Sequence, residues 1–86
     1  MYYHIQINYF NSDNGEMTLL SECNIQDLDD LKERVIKPYV FGHSFTFAGR
    51  DLILASIHSF SVYASKMPIH DVDEDGVKEV TREVMG

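Results

Sequence analysis

Eighty-six residues, 44% of them hydrophobic, with a formal net charge of −7, describe one small folded domain with a single modest core. Seven Lys and Arg against 14 Asp and Glu, with no basic cluster, argue against a nucleic-acid binder, whose phosphate contacts need grouped cations; a basic partner or plain solubility fits the balance. The lone Cys23 allows no internal disulfide, no apolar run reaches the roughly 18 residues of a membrane span, and the N-terminus shows no leader pattern, so a reducing, cytoplasmic setting is expected.

Residues 2–10 alternate, with Tyr3, Ile5, Ile7 and Tyr9 on one side and His4, Gln6 and Asn8 on the other. A period of two in β-branched and aromatic residues predicts a half-buried strand. Asn11-Ser12-Asp13-Asn14-Gly15 supplies turn chemistry, and residues 16–21 return as a second strand with Met17 and Leu19 expected to face the same core. In residues 24–37, Leu28, Leu31, Val35 and Ile36 form one apolar stripe at helical spacing. Asn24 or Asp27 is placed to cap this helix, and Pro38 is expected to stop it.

Phe45 and Phe47 then share one side of a strand, Ala48-Gly49-Arg50-Asp51 makes a turn, and Leu52-Ile53-Leu54 offers a brief apolar segment. From 57 to 65 a last strand puts His58, Phe60, Val62 and Ala64 on one face and Ile57, Ser59, Ser61 and Tyr63 on the other. The remaining residues begin at Lys66-Met67-Pro68 and turn acidic at 71–75. Val77, Val80 and Val84 there suit either a short helix or an extended segment. The expected division is a core domain over 1–65 and an acidic C-terminal tail over 66–86.

Candidate chemistry is sparse. Asp71, Asp73, Asp75 and Gly76 match the start of a calcium loop, but position twelve is Arg82 where a bidentate glutamate is needed, so a solvated acidic turn is the preferred account. His4, His43, His58 and His70 show no metal-ligand spacing, although His4 and His58 both lie on strands and a cross-sheet pair is conceivable. Cys23 near the predicted helix start is the one reactive group with a reason for activation. Ser44 beside His43 and Ser59 beside His58 point to opposite faces and make no dyads. No nucleotide or hydrolase motif occurs, and no cofactor or metal is expected. What remains is surface recognition: Arg50 is a rare cation at a turn, set against pairing with Asp51, and Tyr2 and Phe10 are strand aromatics suited to an apolar contact patch.

Two resemblances follow from these segments. A hairpin, a helix and then Phe45-Thr46-Phe47-Ala48-Gly49-Arg50-Asp51-Leu52 resemble the ubiquitin-like β-grasp pattern over roughly residues 1–63. The chain departs from it in the short segment after Leu52 and in Gly86 standing without a second glycine, so no conjugatable tail is expected. Val35-Ile36-Lys37-Pro38-Tyr39, the Phe45–Arg50 run, Ser56–Tyr63 and Val80-Thr81-Arg82-Glu83-Val84 are also similar to N-terminal accessory modules that precede TIR-like or nuclease-like effectors in prokaryotic defence proteins. That likeness implies a recognition or assembly role and a bacterial or phage setting. It transfers no catalytic residue.

The expected fold is therefore α+β: a β-grasp-like ββαββ order, with a fifth strand if 52–54 joins, forming a four- or five-stranded mixed sheet under one helix. A plain ββαββ sheet is the alternative. The expected function is a non-enzymatic module that binds a protein partner through its sheet face or edge, with no membrane and no direct nucleic-acid contact. A homodimer is left open. The alternatives are an acidic inhibitor that mimics nucleic acid on a basic protein, and a small enzyme using Cys23 or the histidines.

Overall fold

The computed structural model describes residues 1–85, so the expectation about Gly86 lies outside the described residues. Strand β1 (Tyr2–Asn11) is the axis of the fold. It pairs antiparallel with β2 (Glu16–Ile25) on one side and with β5 (Ile57–Ser65) on the other. Tyr3, Ile5, Ile7 and Tyr9 turn toward the helix, as the alternation predicts, and Phe60 and Val62 of β5 sit opposite Ile7 and Ile5 on that same face.

The helical run starts at α1 (Leu28–Leu31), where the Asp27 carboxylate accepts from the Asp30 N–H at 3.0 Å. It widens into a π turn (Lys32–Ile36) and closes as α2 (Lys37–Val40). The run therefore begins later than expected, because residues 24 and 25 belong to β2, and it passes through Pro38 instead of ending there. The reason is local. A proline ring collides with the carbonyl four residues back in a regular α-helix. Here the ladder is opened just before it, with the Lys37 N–H reaching the Lys32 carbonyl. The end comes at Gly42, in the left-handed region at φ 76°, where the His43 N–H returns to the Pro38 carbonyl at 2.8 Å. Leu31, Val35 and Ile36 are buried as the stripe predicts, and Tyr39 stacks on Phe60 with ring centroids 4.2 Å apart.

β3 (Phe45–Phe47) and β4 (Arg50–Leu52) form a hairpin of their own, not part of the main sheet. Phe45, Phe47 and Leu52 fill the core from below the helix while Thr46 faces solvent. The further short strand expected at 52–54 is found two residues earlier, as β4, because the turn takes only Ala48 and Gly49 and Arg50 and Asp51 already pair with β3; a 3₁₀ turn at Leu54–Ser56 then leads into β5. The last segment is ordered by packing. Ile69 is buried, β6 (Lys78–Glu79) pairs antiparallel with β5, and Val80, Val84 and Met85 lie against the core around the short helix α3 (Thr81–Met85). Both conformations weighed for this segment are thus present.

The architecture is α+β, with one main helix on a four-stranded sheet of order β2-β1-β5-β6. The mixed sheet expected from the β-grasp resemblance is corrected: every pairing is antiparallel, including that of β1 with β5. β2 runs opposite to β1, and the crossover through the helical run and the β3–β4 hairpin brings β5 down on the far side of β1 in the same direction as β2, so β5 meets β1 antiparallel. No helix of the described residues is long and apolar enough to cross a membrane.

The β3–β4 turn carries a measurable strain. Ala48 and Gly49 both have positive φ, 50° and 77°, the hand that matches strand twist in a two-residue hairpin. Glycine adopts it freely and alanine does not. Ala48→Gly is expected to raise the unfolding free energy by about 0.5–1 kcal/mol, read from the urea midpoint; an unchanged or lower midpoint counts against strain at this position.

Candidate functional site

The turn between β1 and β2 decides which side chains the sheet leaves exposed. Asn11 pairs with Glu16, leaving four residues in the loop, so odd positions of β1 sit opposite even positions of β2. Thr18 faces Tyr9 and Leu20 faces Ile7 on the core side, while Met17 lies beside Phe10 and Leu19 beside Asn8 on the outer face. The expectation that Met17 and Leu19 point into the core is thereby reversed, since a change of one in strand register moves every side chain to the other face. Phe10, Met17 and Leu19 are left 49%, 47% and 57% exposed, as one apolar patch. β2 is also the terminal strand of the sheet, so its outward backbone groups have no strand partner. Counting the loop residues is the sequence signal that would have revealed this patch.

Of the residues expected to contact a partner, Phe10 and Arg50 are brought together and Tyr2 is not. Phe10 and Arg50 line one shallow cleft of about 230 Å³ between the tip of the β1–β2 hairpin and the β3–β4 hairpin. Asp51 does not pair with Arg50 as weighed; it accepts from the Thr46 hydroxyl at 2.7 Å. Arg50 instead reaches Asp13 of the hairpin loop at 3.9 Å, with both side chains well exposed, an arrangement that contributes little to stability. Tyr2 sits at the far end of β1 opposite Ser65 and is half-buried.

That far end of the outer face is covered by residues 66–70, and the covering is fixed by hydrogen bonds. His4 is fully buried. Its Nδ1 accepts from the Asn24 N–H at 2.9 Å, and its Nε2 lies 2.8 Å from Ser65 Oγ. A backbone N–H can only donate, so Nδ1 is unprotonated and the neutral ring carries its hydrogen on Nε2, donated to Ser65. Ser65 passes its own hydrogen to the Met67 carbonyl at 2.6 Å. The order is opposite to that of a serine nucleophile and its base, in which the hydroxyl donates to the ring. Asn24 itself holds φ 60°, interrupts the β1–β2 register, and uses its side-chain amide to bond both the N–H and the C=O of Ile69, at 2.8 and 2.9 Å. It mimics one residue of a strand.

The other candidates are placed apart. His58 is exposed near the opposite end of β5 from His4, so the two are not neighbours. Cys23 lies in β2, not at the helix start, and its thiol is pushed up by burial and by the nearby Asp71 and Glu74 carboxylates, the reverse of an activated thiolate. In the acidic loop Asp71, Asp73 and Asp75 do not converge on a point. Asp71 accepts from the Asp73 N–H at 3.1 Å, and the Glu74 carboxylate accepts from the His70 and Asp71 N–H groups at 2.6 and 3.1 Å. The Asp71 and His70 backbone donors hold the Glu74 carboxyl below its usual range. Among the described residues no three His, Cys, Asp or Glu side chains are grouped to hold a metal ion.

No protein-family model, no curated protein and no solved structure matches the chain.

Two outcomes follow from the His4–Asn24 node. Burial pushes the His4 pKa below the ordinary histidine value of about 6.5, so above that value folded and unfolded chains both hold a neutral ring and the node is intact. As pH falls below it the unfolded chain takes up the proton more readily, and stability drops. The urea midpoint should therefore decrease between about pH 7 and pH 5, and His4→Phe, though less stable, should flatten this slope; an equal slope in the variant assigns the titration elsewhere. Asn24→Gly keeps the left-handed backbone but deletes the hold on Ile69, for an expected loss of about 1–2 kcal/mol. Asn24→Ala should cost about 1 kcal/mol more, a difference measured by chemical denaturation.

Proposed function

We propose that this chain is a non-enzymatic protein-interaction module that takes its partner by strand addition at β2. The supporting observation is the character of that edge. Folded proteins blunt their sheet edges with Lys, Pro, bulges or short strands. β2 runs ten residues, contains neither Lys nor Pro, and exposes Met17 and Leu19 beside Phe10; its one irregularity, at Asn24, lies near its end. Backbone pairing supplies affinity in this mode, and side chains on alternate positions supply selectivity. Arg50 and Asp13, at the hairpin end of the same edge, form a polar rim of the kind that surrounds an apolar contact.

This reading suits the cytoplasm of a bacterium or a phage-infected cell, and the recognition role implied by the likeness to accessory modules of defence proteins. A β-grasp relationship draws its support from the element order and from the Phe45–Leu52 segment.

A second reading has an observation of its own. Asp27, Asp29 and Asp30 and the Asp71–Asp75 loop are exposed on a chain of net charge −7, which suits an acidic decoy for a basic groove. The two separate by experiment. Immobilised wild-type chain is expected to capture a specific protein, and Leu19→Lys is expected to abolish capture while leaving the circular dichroism spectrum intact. Capture that is insensitive to Leu19→Lys and collapses with added salt favours the decoy. No capture by either chain sinks the interaction reading.

A further inference from the structure

The β2 edge has a property that an arbitrary binding strand does not need: it is complementary to itself. A two-fold interface presents the same patch from both sides, so each side chain must suit the one that symmetry places opposite. We propose that the partner of β2 is a second copy of this chain, paired antiparallel about a two-fold axis at Thr18. The proposal rests on the interaction-module reading and names its partner.

The register is selected by exclusion along the strand. With the axis at Thr18, Met17 meets Leu19 of the second copy, Leu19 meets its Met17, Thr18 meets Thr18, and Glu16 meets Leu20. On the outer face the two Met–Leu pairs join, and each is flanked by Phe10 from its own copy through the Phe10–Met17 neighbourhood. Six exposed apolar side chains thus become one patch. On the helix side two threonine hydroxyls meet, a favourable cross-strand pair, and no like charges stand opposite. Moving the axis to Leu19 puts Met17 against Ser21 and Glu16 against Glu22, which breaks the apolar match and opposes two carboxylates. Moving it to Met17 sets Leu19 against Gly15 of the hairpin loop, so the exposed Leu19 loses its apolar partner, and moving it to Leu20 sets Leu19 against Ser21 and Met17 against Cys23, which also breaks the Met–Leu pairs. Among the axes from Met17 to Leu20, Thr18 is the one that pairs the exposed Met17 with the exposed Leu19.

Electrostatics adds a signature. Each copy carries −7, so association of like-charged chains strengthens as salt screens them, whereas a basic partner strand would let go.

The test is sedimentation together with site-directed cross-linking. Wild type is expected to sediment as a dimer whose dissociation constant falls with added salt. Leu19→Lys should raise that constant at least about a hundredfold, because a symmetric interface loses Leu19 twice. On a Cys23→Ser background, Thr18→Cys should give a covalent dimer on oxidation and Leu20→Cys should not, since Leu20 meets Glu16 in this register. Circular dichroism confirms that each variant is folded; the substituted side chains at 18, 19 and 20 lie outside the fully buried core. A monomeric wild type overturns the proposal, and so does cross-linking through Leu20→Cys in preference to Thr18→Cys. If that monomer still captures a foreign protein in a Leu19-dependent way, the interaction reading survives without self-pairing; if it does not, both fall.

Discussion

The double pairing of β1 governs the whole domain. One strand is held on both sides by antiparallel ladders, so each of its faces is committed along its length. Its odd positions must be covered, and the helical run and the β3–β4 hairpin do this with Leu31, Val35, Phe47 and Leu52, all close to fully buried. Its even positions face away from the helix, and the fold treats them unequally. At one end His4 is sealed under residues 66–70, in the middle Gln6 and Asn8 are half-exposed polar groups, and at the other end Phe10 is open. The exposed apolar surface is what this gradient leaves uncovered.

The sequence patterns that were legible are those that depend on period alone. The alternation in residues 2–10, the helical stripe from Leu28 to Ile36 and the two faces of residues 57–65 each follow from side-chain direction within one element. What escaped depends on relations between elements. The orientation of β2 is set by the number of loop residues closing the hairpin, and its own composition, Met-Thr-Leu-Leu, is apolar on both faces. Pro38 reads as a stop because a regular helix cannot take it; a π turn is a tertiary accommodation with no local sequence mark. The ordering of 66–85 rests on Asn24, Thr81 and Ile69 meeting partners far along the chain, such as the Thr81 hydroxyl accepting from the Val62 N–H at 2.9 Å. Of the expected contact residues, Arg50 and Phe10 do converge, since a turn and a hairpin tip are brought side by side.

The buried polar node shows how a small domain keeps a long surface segment in place with little apolar area. The neutral His4 ring takes the Asn24 backbone N–H and gives its hydrogen to Ser65, Ser65 bonds the Met67 carbonyl, and the Asn24 side-chain amide bonds the backbone of Ile69. Such a network fixes a geometry as well as an energy, because each group has a partner only when all are in position. The positive φ of Asn24 is the condition for it: only a side chain that tolerates the left-handed region can turn its amide toward Ile69 there.

The opposite margin of the sheet has its own significance. β6 is two residues long, a Lys followed by a Glu, and the chain turns from it directly into α3. Short length and charge are what discourage further strand addition. The sheet therefore has a single growing end. Two copies joined edge to edge at β2 would each leave only a β6 margin outward, so such a sheet would stop at two molecules instead of propagating as an open-edged sheet does into a fibre.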